Sequence, residues 1–156
     1  MNLPVIFLDY DGVLNTERYH AQLAIDGEPT KDAWGPLFDP RAVGNLRKIL
    51  DATGAAIVIS SSWRYAHRPG SLCKMWASRE LPGEIIDTIP CGATYISCGE
   101  DIKCWLDKHG RHDYVIIDDL DDFSPAQHDR YVETNPIVGI TEADAQKAIE
   151  ILTSKA

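Results

Sequence analysis

The stretch from Pro4 to His20 reads PVIFLDYDGVLNTERYH. Its first part, Val5–Asp9, is a continuous apolar run closed by an Asp11-Gly12 turn, the pattern of a short strand buried on both faces. The run stops in two carboxylates one residue apart, Asp9 and Asp11. Ligands of open α/β sheets bind at the carboxyl ends of the strands, so the acids stand where a site would be.

Strand-like and helix-like segments alternate through the rest of the chain. Residues 10–38 show no clear period and carry Gly27, Pro29, Gly35 and Pro36, which reads as a loop or small flap. Asp39-Pro40 opens a helix as N-cap and first position; Val43, Leu46, Ile49 and Leu50 form its apolar stripe and Gly54 ends it. Ala55–Ser60 is a second buried strand, followed by a helix over Ser71–Glu80 and a strand at Glu84–Ile89. Gly99–His109 has helical spacing, Tyr114–Asp118 (YVIID) is a further buried strand, and Arg130–Thr134 a short one. Thr141 and Asp144 form a capping-box-like start to the last helix. Apolar strands alternating with helices predict a doubly wound α/β fold, a parallel sheet with helices on both faces.

A chain of 156 residues, 44% of them hydrophobic, suits a single domain over 1–156. A net charge of −9 argues against non-specific duplex binding. No apolar stretch is long enough to span a membrane, and no basic region leads into an apolar one as in a signal peptide. Cys73, Cys91, Cys98 and Cys104 form no CxxC pair and read as reduced thiols. A cytoplasmic location is expected. His20, His109, His112 and His128 lack metal-ligand spacing and read as surface residues, while Trp34, Trp76 and Trp105 read as core.

Three strand ends are polar. The first ends in Asp9-Tyr10-Asp11-Gly12, the second in Ser60-Ser61-Ser62-Trp63-Arg64, and YVII in Asp118-Asp119-Leu120-Asp121-Asp122. Each alone has a structural explanation, as a turn or a solvated loop. Together, with the first strand beside YVIID, they bring several carboxylates within a few ångströms, which needs a cation among them. An all-oxygen set suits Mg²⁺.

This pattern resembles the haloacid-dehalogenase-like (HAD) phosphohydrolase superfamily. FLDYDGVLN looks like its first motif, AIVIS its second and VIIDD its fourth. More narrowly, DYDGVLN, IVISSSWR, GEDIKCWL and YVIIDD look like the small HAD domain of Swiss-army-knife RNA repair proteins. The resemblance implies a Mg²⁺-dependent phosphomonoester hydrolase working through an aspartyl-phosphate. Asp9 would be the nucleophile and Asp11 the acid/base. Mg²⁺ would sit on Asp9, the Asp11 carbonyl and Asp118, with Asp119 or Asp122 acting through water. Gly12, Ser60 and Ser61 would hold the phosphate. The basic residue of the third motif would be Lys103, about a turn inside its helix, with Arg64 as the alternative.

Residues 10–38 are too few for a large cap, so the site should be open. Trp63, Arg64, Tyr65, His67 and Arg68 combine stacking surfaces with cations, which suits a nucleotide or a polynucleotide end. A broad small-molecule phosphatase, a 5′-nucleotidase and a non-catalytic HAD-like binding module are the competing readings. A receiver-like signalling domain would need an isolated aspartate after AAIVIS, and none stands there.

Overall fold

The structure is a computed structural model that describes residues 2–90 and 97–154. β1 (Val5–Leu8), β4 (Ala56–Ile59), β5 (Ile85–Thr88), β6 (Tyr114–Asp118) and β7 (Tyr131–Glu133) form one parallel sheet in the order β5-β4-β1-β6-β7. β2 (Lys31–Asp32) and β3 (Gly35–Pro36) make a separate antiparallel hairpin.

Side-chain alternation explains the layers. Ile6, Leu8, Ile57, Ile59, Val115 and Ile117 face one core, covered by α2 (Pro40–Thr53), α4 (Pro69–Ser78) and α6 (Glu142–Thr153). Val5, Phe7, Val58 and Ile116 face the other, covered by Ile102 and Trp105 of α5 (Cys98–His109). Because both faces are covered, the central strands are apolar throughout, and the α/β expectation holds. Trp76 and Trp105 are buried and Trp34 packs on the core; His109 and His128 lie at the surface. Cys73, Cys98 and Cys104 are free thiols, while Cys91 falls outside the described residues. No described helix is long and apolar enough to cross a membrane.

The segment 10–38 is more ordered than the loop expected from its sequence. It contains α1 (Glu17–Ile25), capped by Thr16, whose hydroxyl accepts the Tyr19 N–H at 3.1 Å. None of its residues is buried, so there is no apolar stripe to read. Trp63–Ala66 likewise folds as a helical turn, α3, and Pro125–Arg130 as a 3₁₀ helix. Among the described residues no large cap covers the carboxyl edge of the sheet.

After β5 the chain crosses to the far side of β1, so the strand order reverses at β1. The residues just beyond β1 therefore sit in the crevice between the ends of β4 and β6.

Candidate active site

Ladder hydrogen bonds set three polar residues side by side at that crevice. The Asp9 amide donates to the Ile117 carbonyl at 3.1 Å, and the Ser60 amide to the Leu8 carbonyl at 3.0 Å. Asp118 is the last residue of β6. Asp9, Asp118 and Asp119 each offer a carboxylate oxygen, and these oxygens lie within 4.8 Å of one another. Asp9 and Asp118 are buried. Burial raises the pKa of both above the ordinary carboxylate range, and the Asp118 charge adds to the rise at Asp9. Such a pair holds a proton or a cation. The donor set is all oxygen, which fits a hard divalent ion such as Mg²⁺.

A cavity of about 320 Å³ opens beside these acids, lined by Asp9, Asp118, Ser60, Arg64 and Cys98 together with Ser62, Tyr65, Leu120 and Asp122. The Asp9 Oδ1 accepts the Tyr10 N–H at 2.8 Å, and the Asp118 Oδ1 accepts the Leu120 N–H at 3.0 Å, which fixes both carboxylates. The Ser60 hydroxyl is buried with no hydrogen-bond partner among the described residues. A buried hydroxyl left this way at a cavity wall is suited to a ligand oxygen. Gly12 has φ +75°, and a Cβ there would come within 2.7 Å of the Asp119 Cγ. Glycine thus lets Asp119 close on the first loop.

Asp11 is exposed and stands beside the cavity rather than in its wall. Its Oδ1 accepts from Asn15 Nδ2 at 2.6 Å and from Trp63 Nε1 at 3.0 Å. Its carboxylate lies outside the Asp9–Asp118–Asp119 cluster, so only its main chain is left for the metal role expected of it.

Two of the expected residues stand away from the cavity lining. Lys103 does not reach the acids: its side chain is 65% exposed, lies 3.7 Å from Asp107 one turn on, and lines a separate small pocket with Ser97 and Gln127. Its position a turn inside α5 carries it away. Arg64 occupies the cavity wall instead, with its side chain 3% exposed and 2.7 Å from Asp101 in the first turn of α5. It also donates to the Ser60 carbonyl and to the Tyr65 hydroxyl. Ser61 is fully buried outside the cavity lining, its hydroxyl taken by the Trp63 N–H at 3.2 Å; Ser62 lines the cavity in its stead.

Other roles were not evident from the residues alone. Asp122 caps α5, accepting the Cys98 N–H at 2.8 Å on its side chain and the Gly99 N–H at 3.1 Å on its carbonyl. The Cys98 thiol lines the cavity, but burial and the nearby Asp118 charge push it up to about 12, so it is no nucleophile at neutral pH. The aromatic–cationic stretch is divided. Trp63 is buried against Tyr10 and Phe38, His67 stacks on it, and Tyr65 presents a half-exposed ring 4.8 Å from the Arg64 guanidinium.

No curated protein and no solved structure matches the chain. A family model does, over residues 5–145, from the first strand into the last helix. Its span takes in the Asp9 loop, the Ser60 turn and the Asp118-Asp119 pair, and the chain belongs to the family of HAD domains in Swiss Army Knife RNA repair proteins.

Proposed function

We propose that the protein is a Mg²⁺-dependent phosphomonoester hydrolase acting through an aspartyl-phosphate, with phosphorylated polynucleotide ends as its substrate class. The observation that carries this reading is the Asp9–Asp118–Asp119 cluster, opening on a cavity with the unpartnered Ser60 hydroxyl and the Arg64 guanidinium in its wall. Asp9, Asp118 and Asp119 would hold the ion, which supplies charge neutralisation for the carboxylates and the phosphoryl group.

Asp9 would attack phosphorus as its ester bond to the leaving oxygen breaks, and that oxygen takes a proton from Asp11. Water then adds to the phosphorus of the aspartyl-phosphate and gives a proton to Asp11. The Asp9–phosphorus bond breaks, releasing inorganic phosphate and the Asp9 carboxylate. Ser60 would donate to a phosphoryl oxygen, and Arg64 would offset its charge.

An end of a polynucleotide is favoured by the lack of a large cap among the described residues, by the half-exposed Tyr65 ring at the cavity, and by the RNA-repair context in the family's description. The test is a panel with Mg²⁺ that sets p-nitrophenyl phosphate, nucleoside monophosphates and sugar phosphates beside 3′- and 5′-phosphorylated oligonucleotides. Turnover abolished by Asp9→Asn and fastest on one oligonucleotide end is expected. Equal rates on all small esters would make it a broad phosphatase, and a mononucleotide preference a 5′-nucleotidase. No turnover of any ester would leave a binding module.

A further inference from the structure

An acid/base is only as good as its aim: the Asp11 carboxylate must meet the leaving oxygen in one orientation. Both hydrogen bonds that Asp11 receives fall on the same oxygen, Oδ1. Among the described residues Oδ2 accepts none, which leaves it for a proton and a substrate. Asn15 is a local donor from the same loop. Trp63 is not local; it arrives from α3, 52 residues along the chain.

The indole is held from three sides. Tyr10 meets it edge-on with centroids 5.2 Å apart, and Phe38 packs at 5.7 Å. On the third side lies the β2–β3 hairpin, where a Cβ on Gly35 would come within 3.1 Å of the Trp63 Cη2. Gly35 has φ +136°, a conformation side chains rarely take, so the hairpin backbone and the ring are matched to each other. The hairpin in turn is pinned by Arg79 beyond the end of α4. Arg79 bonds both Asp32 carboxylate oxygens, at 2.9 and 2.7 Å, and the Gly35 and Pro36 carbonyls at 3.0 and 3.1 Å. Its guanidinium lies 4.8 Å from the Phe38 ring and 5.9 Å from that of Trp63.

We infer that Trp63 is a positioning residue for Asp11, and that the hairpin and Arg79 lock the indole so that its N–H aims the acid. This rests on the acid/base reading of Asp11 above.

Leaving-group dependence separates this role from simple structural support. Dinitrophenoxide departs without a proton, whereas a ribose hydroxyl needs one. Trp63→Phe keeps the ring and removes the donor. Its kcat/KM on nucleotide or oligonucleotide phosphates, which covers phosphoryl transfer to Asp9 but not the later hydrolysis common to all esters, should fall on the order of tenfold, while kcat/KM on 2,4-dinitrophenyl phosphate stays within about twofold of wild type. Arg79→Gln, which leaves Trp63 intact, should show the same selectivity at smaller size if Trp63→Phe folds poorly. Equal losses on both ester classes, or no loss on the nucleotide esters, would overturn the inference while leaving the hydrolase reading standing. A wild-type protein with no ester turnover would remove that reading and this one with it.

Discussion

Arg64 and Asp101 form an ion pair 2.7 Å long that joins α3 to the first turn of α5. The segment expected to bring a cation into the site through Lys103 instead brings an anion that anchors one. The single guanidinium serves Asp101, the Ser60 carbonyl and the Tyr65 hydroxyl together, a geometry the point charge of a lysine cannot reproduce. Arg64→Ala is expected to cost about 3–5 kcal/mol by leaving Asp101 half-buried without its partner. Arg64→Lys should recover charge but not the shared geometry. Lys103→Ala should change neither melting temperature nor kcat by more than the scatter of the assay, since exposed i,i+4 pairs are worth only about 0.3–0.5 kcal/mol. Denaturant melts and phosphatase rates on the three variants check this; a large kcat loss in Lys103→Ala alone would restore it to the site.

What could be read from the sequence divides along physical lines. The five strands of the parallel sheet and α2 were legible because burial writes a period or an unbroken apolar run into the chain, whereas the short, unburied β2–β3 hairpin was not; the acids at the ends of β1 and β6 followed from strand order. α1 was hidden because it buries nothing, and α3 because a single helical turn carries no period. Among the site residues, Asp9, Asp118, Asp119 and Ser60 sit on or next to strands, so their positions follow from the ladder. Lys103, Ser61 and Arg64 hang on helical turns and a tight loop, where a shift of one residue rotates a side chain by about 100°. Spacing along the chain cannot decide such cases. The hydrogen bond of Trp63 to Asp11 joins residues 52 apart, and nothing local announces it.

The acid cluster makes stability depend on pH and on metal together. In the absence of a divalent ion, Asp9 and Asp118 hold protons above the pH at which an unfolded aspartate, near about 3.9, has lost them. Over that window the folded chain binds more protons than the unfolded one, so raising the pH lowers stability. The cluster's contribution should be full below about pH 4 and fall as the pH rises through neutrality. Mg²⁺ should raise the melting temperature more at pH 8 than at pH 5, because it replaces the missing protons. Asp118→Asn should flatten the metal-free slope. A Mg²⁺-induced shift that is the same at both pH values would show that the ion binds elsewhere.

Gly12 tests whether Asp119 is part of that cluster. Its amide donates to Asn15, its carbonyl accepts from Thr134 Oγ1 at 2.9 Å, and a side chain there would strike the Asp119 carboxylate. Gly54, at the end of α2, shares the left-handed conformation, with φ +67°, but has nothing within 4 Å of an added Cβ. Alanine at either position should therefore cost about 1–2 kcal/mol of backbone strain. Only at Gly12 should it also push Asp119 aside and weaken Mg²⁺ binding by on the order of tenfold, as one ligand of a hard-cation site is displaced. Denaturant unfolding of Gly12→Ala and Gly54→Ala measures the shared cost, and calorimetric Mg²⁺ titration the difference. Equal Mg²⁺ affinity in the two variants would mean that Asp119 does not need its close approach to the first loop to serve the ion.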